Sequence, residues 1–139
     1  MKAHLILIVL LILIVISCST NETGKADANQ LHDIWALESI NGESFVMDKQ
    51  TRNHPTIEIY LEEEKVIGNT GCNNFNGKLK VDENQINFSQ IISTEMACPG
   101  DLEYRFLTAL ESIDNYKIEK LRLFLYEGEK ELLIFRKVD

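Results

Sequence analysis

The side chains best suited to chemistry in this sequence are the thiols of Cys18, Cys72 and Cys98. A thiol can form a disulfide, hold a metal ion or act as a nucleophile. Cys72 and Cys98 form no Cys-x-x-Cys pair, and neither has an obvious cation beside it in the sequence. The histidines lie outside any His-x-x-x-His spacing, so we predict solvated rings at His32 and His54, with no metal site and no cofactor.

The hydroxyl and carboxylate residues give no catalytic pattern. No serine stands in a Gly-x-Ser-x-Gly or Ser-x-x-Lys motif. The acidic run Glu62, Glu63 and Glu64 lacks the alternating ligands and the glycine of a calcium loop, so it is interpreted as a charged hairpin tip. We therefore predict no catalytic residue and a protein that is not an enzyme.

The N-terminal residues have the form of an export signal. Lys2 precedes an apolar run over residues 5–16, which is too short for the roughly 20 residues of a membrane-spanning helix. Cys18 follows this run directly, as in a bacterial lipobox, where the thiol is acylated and becomes the mature N-terminus. The sequence thus predicts a signal peptide over residues 1–17 and lipidation of Cys18; the alternative is a plain secreted protein cleaved nearby.

The next segment and the net charge indicate how the protein meets the membrane. Residues 18–30 are small and polar, so they are predicted to be the lipidated cysteine and a flexible tether. The chain carries a net charge of −8, which repels nucleic acid and anionic headgroups, and no Lys/Arg cluster stands in the sequence. We expect membrane contact through N-terminal acyl chains and a place in the bacterial cell envelope. The residue after Cys18 is Ser19 and not the aspartate associated with inner-membrane retention, which favours the outer membrane. The face of that membrane is left open.

Residues 31–139 are predicted to form one small domain that positions the two remaining cysteines. Short segments of alternating apolar residues predict strands, and the glycine- and asparagine-rich residues 68–77 predict a specified turn between two of them. Apolar residues at helical spacing after Asp101, the predicted N-cap, indicate one helix with Glu103 facing solvent. The expected fold class is mainly β (α+β), a small antiparallel, partly open barrel-like sheet with one packed helix.

The order of these motifs resembles the META domain, or HslJ-like, family. The resemblance rests on Trp35-x-Leu37, on Gly71-Cys72-Asn73, on Thr94-x-Met96-Ala97-Cys98 and on Glu103 in an amphipathic helix. It implies a small antiparallel β domain with one helix, found in bacterial lipoproteins and heat-inducible envelope proteins and linked to novobiocin resistance. It implies no catalytic activity.

The cysteine pair leaves three alternatives open. An even number of thiols in an exported chain favours a disulfide between Cys72 and Cys98. Two free buried thiols and a redox-active pair are the other arrangements. In each case the expected protein is a lipid-anchored envelope protein in stress or antibiotic tolerance, and the alternative is a pilot-like or inhibitor-like module. Its possible partners are another envelope protein or an apolar ligand.

Overall fold

The computed structural model describes residues 28–138, so Cys18, the predicted signal peptide and most of the predicted tether lie outside the described residues. Within that range the chain forms nine strands and one α-helix, α1. In chain order the elements are a 3-10 turn (Ala28–Leu31), β1 (Ile34–Ile40), β2 (Glu43–Ser44), β3 (Thr56–Tyr60), β4 (Lys65–Asn69), β5 (Asn74–Asp82), β6 (Gln85–Ser93), α1 (Leu102–Ser112), β7 (Asn115–Glu119), β8 (Arg122–Glu127) and β9 (Lys130–Lys137).

The strands form one antiparallel sheet that curls into a partly closed ring. Neighbours in the sheet follow the order β2-β1-β3-β4-β5-β6-β7-β8-β9, and β1 also pairs with β9. β6 and β7 share only the pair Gln85 and Asn115, and α1 packs against β6. The predicted fold class, mainly β and antiparallel with one packed helix, is confirmed.

The interior of the ring is filled by apolar side chains. On β5, Phe75 and Leu79 are buried while Lys78 and Lys80 are exposed, because successive residues of a strand face opposite sides. The helix contributes Phe106, whose ring lies 5.9 Å from the ring of Phe75. Other buried members of the same core are Trp35, Leu37, Ile57, Ile59, Phe88, Leu110, Leu123, Leu133 and Phe135.

Leu31, near the start of the described residues, already lies in the core. The Leu31 side chain is fully buried, and its carbonyl oxygen accepts a hydrogen bond from Trp35 Nε1 at 3.0 Å. Residues 28–30, predicted to end the tether, form the 3-10 turn with Leu31. This turn places the entry of the chain at one end of the ring.

The ring has two distinct ends, which β1 connects over about 20 Å at the usual rise per residue of a strand. We call residues 41–55, 70–73 and 94–101 the disulfide end. Residues 28–33, the turns at 61–64 and 120–121, and residues 137–138 are called the N-terminal end. The turns at 83–84, 113–114 and 128–129 meet beside the contact of β6 with β7 and are counted with neither end.

Candidate functional site

A tight turn between β4 and β5 forms the base of the site. Thr70 N donates to Asn73 O at 2.9 Å, and Asn73 N donates to Thr70 Oγ1 at 3.1 Å. Gly71 has a φ of +100°, which glycine adopts without strain. Its carbonyl oxygen accepts the backbone N–H groups of Arg52, at 2.9 Å, and Asn53, at 3.1 Å. The turn is thereby held against the loop that precedes β3.

A disulfide joins this turn to the segment that leads into α1. The structure pairs Cys72 with Cys98, with their Cα atoms 6.0 Å apart, which is the first of the three alternatives. Cys72 is buried and Cys98 is half-buried. By the chain-entropy model, closing a loop of this length stabilises the fold by about 3 to 4 kcal/mol. The bond therefore accounts for a large share of the stability of a small domain.

The side chain of Asn73 joins the two halves of the motif by hydrogen bonds. It is 2% exposed, and its Oδ1 accepts Thr94 Oγ1 at 2.8 Å and Met96 N at 2.9 Å. Its Nδ2 lies 3.0 Å from Met96 O and 3.1 Å from Glu103 Oε1. Asn73 therefore makes the hydrogen bonds that connect the turn, the segment before α1 and α1 itself. It is also a turn residue, as predicted.

The prediction that Glu103 faces solvent is wrong. Glu103 is half-buried in the first turn of α1, and its Oε2 accepts the hydroxyl of Thr70 at 2.7 Å. A carboxylate is favoured there by the helix dipole and by the two polar donors beneath it. Asp101 occupies the predicted N-cap position, but its side chain makes no capping hydrogen bond. The carboxylate that binds the helix start to the rest of the domain is thus that of Glu103.

The surroundings of Cys98 suit a structural disulfide. Its sulfur lies 3.1 Å from Asn73 Nδ2, 3.3 Å from Met96 O and 3.6 Å from Glu103 Oε2. Asn73 and Glu103 also join the turn to the start of α1, so the disulfide and the hydrogen bonds hold the same segments together.

A cleft of about 220 Å³ opens beside the disulfide, between the loop after β2 and the start of α1. Its charged side chains bind one another: Arg105 Nη2 lies 3.3 Å from Glu43 Oε2, and Arg105 Nη1 lies 4.0 Å from Asp101 Oδ1. Hydrogen bonds from the Gln50 backbone N–H and the Thr51 hydroxyl lower the pKa of Asp48, which also lines the cleft. The charged side chains that line the cleft thus have partners within the domain.

Apolar side chains stand exposed around the same end. Val46 is 78% exposed and Tyr104 is 75% exposed, and Met47 and Met96 are about half exposed. Met96 is held in place, since Asn73 binds its backbone N–H and carbonyl groups. These four residues form what we call the apolar rim.

The remaining predicted residues are dispersed. His32 is exposed, with its ring edge-on to Tyr60 at 5.7 Å. The prediction of a solvated ring is wrong for His54, which is half-buried, lies 2.8 Å from Leu37 O through Nε2 and packs edge-on against Phe45. Ala97 is exposed beside Met96. Among residues 28–138 no group of three or more His, Cys, Asp or Glu side chains is arranged to hold a metal ion.

Comparison with known proteins places this arrangement in context. Residues 28–139 match the model of the META domain family. The chain is 32% identical over 115 residues to the heat shock protein HslJ of Escherichia coli, covering 82% of this chain and 74% of that protein.

Two solved structures share the fold. An NMR structure of a Burkholderia xenovorans protein superposes with a TM-score of 0.62 at 22% identity, covering 80% of this chain and 86% of that one. A crystal structure of a DUF4847 family protein from Bacteroides vulgatus gives a TM-score of 0.55 at 16% identity, covering 78% and 96%.

Proposed function

The chain belongs to the META domain family, and we propose that it is a lipid-anchored, non-enzymatic protein of the bacterial cell envelope. We propose further that it acts in envelope stress and in tolerance of novobiocin-type antibiotics. The similarity to a heat shock protein supports a role in stress. The lipobox ending at Cys18 supports the anchor.

One observation carries the non-enzymatic assignment: the polar groups of the motif bind one another. Both atoms of the Asn73 amide and both oxygens of Glu103 contact partners within the domain. A catalytic site instead directs donors, acceptors or a nucleophile toward a bound substrate. The contacts favour a site that fixes the disulfide end of the domain in one shape.

The proposed anchoring does not draw on the folded domain. Among residues 28–138, no helix has both the length and the apolar character needed to cross a bilayer. Acyl chains on Cys18 would hold the domain by way of residues 19–27, which have the composition of a flexible linker.

Growth of a deletion strain tests the stress role. In the native host, we expect the deletion strain to be more sensitive to novobiocin and to heat than the parent strain. The wild-type gene should restore growth, and a Cys18→Ala variant should not. A deletion strain that grows like its parent under both stresses would contradict the protective role, and full rescue by Cys18→Ala would contradict the need for the anchor.

The apolar rim favours a second function, that of a protein-interaction module for another envelope protein. Exposed apolar residues clustered beside a fixed cleft are typical of protein contact sites. A photo-crosslinking residue at Tyr104 should capture one dominant envelope protein in cells, and a Val46→Glu change should abolish the product. The same probe at Lys80, on the outer side of β5, is the matched control. Equal labelling from Tyr104 and Lys80 would rule out this function.

A further inference from the structure

Basic side chains that are scattered in the sequence come close together toward the N-terminal end of the ring. They are Lys117 on β7, Lys120 in the turn, Arg122 on β8, and Arg136 and Lys137 on β9. We call these five residues the basic face. Three of the five side chains are paired with carboxylates within 4.0 Å: Lys117 with Glu119, Arg122 with Glu38 and Lys137 with Asp33. Five cations against these three carboxylates leave the face with an excess of positive charge, although the whole chain has a net charge of −8.

The register of β8 and β9 places Arg122 and Arg136 on the outside of the ring. Leu123 pairs with Phe135, and both are buried inside the ring. The next pair, Arg122 and Arg136, therefore faces outward, since residues directly opposite share a face. Two like charges in this position destabilise a sheet unless anions compensate them. Both carboxylate oxygens of Glu38 bind Arg122, so one of the two charges is compensated within the domain. Arg136 is exposed and has no ion pair among the described residues, so its guanidinium group is open to an external anion.

The turn between β7 and β8 adds an exposed apolar residue to the basic face. Lys120 has a φ of +50° and Leu121 a φ of +64°, a conformation in which bulky side chains are rare. Asn-Gly is the favoured pair in such a turn, yet Leu121 is present and is 63% exposed. Strained backbone that presents a particular side chain is a feature of functional surfaces.

The chain enters the domain beside this turn. Lys137 N donates to Leu121 O at 2.8 Å, and Val138 N donates to Ile34 O at 2.9 Å. Lys137 Nζ also lies 2.5 Å from the carboxylate of Asp33. Turn 120–121 is therefore close to residues 33–34, where the segment from Cys18 reaches the fold.

We propose that the basic face and Leu121 form a docking surface for the anionic headgroups of the bilayer that holds the anchor. The inference rests on the proposed lipid anchor. A flexible coil of the length of residues 19–27 would have a root-mean-square reach of about 17 Å, which would keep the domain near the bilayer, where weak contacts suffice. Lys and Arg side chains bind the anionic surface, while Leu121 enters the headgroup region.

This surface revises the expectation that the chain meets the membrane through acyl chains alone. That expectation used the net charge, whereas a surface potential acts on the nearest charges and decays within about 8 Å at physiological salt. The acidic turn with Glu62, Glu63 and Glu64 lies between β3 and β4, on the other side of β1 from β8 and β9. In this orientation the disulfide end and the apolar rim point away from the bilayer.

Fluorescence quenching tests the proposal on the full chain. The lipidated protein is reconstituted into vesicles of brominated phosphatidylcholine, with or without phosphatidylglycerol, and is also added to preformed vesicles of both kinds. A Leu121→Trp variant reports contact of the turn, and Val46→Trp, at the opposite end, is the matched control. The native Trp35 is buried and gives a constant background.

We expect Leu121→Trp to be quenched at least about twofold more with phosphatidylglycerol than without it, and Val46→Trp to be quenched in neither case. Adding Lys120→Glu and Arg136→Glu should weaken association with the preformed vesicles about tenfold. Lys78→Glu with Lys80→Glu, on β5, should leave it unchanged. Urea unfolding of each variant verifies that the domain is folded.

Mass spectrometry of the N-terminus separates this inference from the proposed anchor. An acylated Cys18 together with an unquenched Leu121→Trp would overturn the docking surface and leave the anchor standing. An unacylated Cys18 would overturn the anchor. Quenching of Leu121→Trp by the preformed vesicles would then show whether the docking surface exists without the anchor. Equal weakening of vesicle association by Lys120→Glu with Arg136→Glu and by Lys78→Glu with Lys80→Glu would also overturn it, because it would show a general charge effect.

Discussion

Substitution of Asn73 by aspartate tests the hydrogen-bond hub, because the change keeps the shape and replaces the Nδ2 donor by an oxygen. Asn73→Asp loses the bond to Met96 O, worth about 1 kcal/mol. It also sets a second carboxylate about 3 Å from Glu103 Oε1, and the repulsion is about 5 kcal/mol at an effective dielectric constant of 20. Because Glu103 is partly exposed, solvent screens about half of this repulsion. We expect a loss of about 3 to 4 kcal/mol in the free energy of unfolding at pH 7.

The pH dependence distinguishes this mechanism from simple loss of packing. Repulsion by Glu103 raises the pKa of the new carboxyl in the folded state. The repulsion costs free energy of unfolding only when the new carboxyl is ionised. This cost is therefore smallest below the carboxyl's pKa in the unfolded chain, about 3.9, and grows as the pH rises through its higher pKa in the folded protein. The loss should therefore shrink to about 1 kcal/mol near pH 4. Asn73→Ala should show a loss that changes little between the two pH values.

Urea unfolding followed by Trp35 fluorescence measures both quantities, since Trp35 is the one tryptophan and is buried. Asn76→Asp, on the exposed side of β5, which follows the turn, is the matched control, with an expected change within about 0.5 kcal/mol. If Asn73→Asp and Asn76→Asp cost the same, or if the cost of Asn73→Asp does not depend on pH, the assigned role of the Asn73 amide is refuted.

Three further predictions follow from the same end of the molecule. Replacing both Cys72 and Cys98 by alanine should lower the free energy of unfolding by about 3 to 4 kcal/mol, and a urea midpoint equal to that of the oxidised wild type would contradict a stabilising disulfide. Gly68→Ala should prevent folding or lower the free energy of unfolding by more than about 3 kcal/mol, because the new Cβ would lie 2.2 Å from a backbone oxygen. Gly42→Ala, with open space around it, is the control and should lower it by about 1 kcal/mol. Equal thermal midpoints of the two variants would refute the steric reason. Folding lowers the pKa of Asp48, so the Asp48 carboxylate stabilises the loop above its usual pKa of 3.8, and this stabilisation is lost as the pH falls below that value. Asp48→Asn should remove this part of the loop's acid sensitivity, measured by amide hydrogen exchange. An unchanged acid profile in the variant would contradict the assigned role of Asp48.

The strands and the helix were predictable because their signals are local. The alternation of Phe75 and Leu79 with lysines identifies β5, and the spacing of Phe106 and Leu110 identifies α1. Closure of the ring was not predictable in detail, since the pairing of β1 with β9 joins distant parts of the chain and no short pattern specifies it. The bulge between Leu37 and Ser39 lies in the same pairing and could not be predicted from the sequence for the same reason.

The site was predictable only in part. The motif order indicated that Asn73 and Cys98 belong together, but helical periodicity assigned Glu103 to solvent. That rule treats any charged residue off the apolar stripe as exposed, whereas the first turn of α1 lies over the polar turn at residues 70–73. His54 was misjudged for a similar reason, because its partner, Leu37 O, comes from another strand.

The sequence by itself determined the elements of this domain, the family to which it belongs and the two cysteines that its turn and its pre-helix segment contribute. These properties are encoded in short periods and short motifs, which residues within a few positions of one another specify. Only the tertiary structure decided that Glu103 completes the Asn73 site and that Arg122 stands opposite Arg136 in an acidic chain. Both depend on the register and closure of the sheet, and so on contacts between segments far apart along the chain.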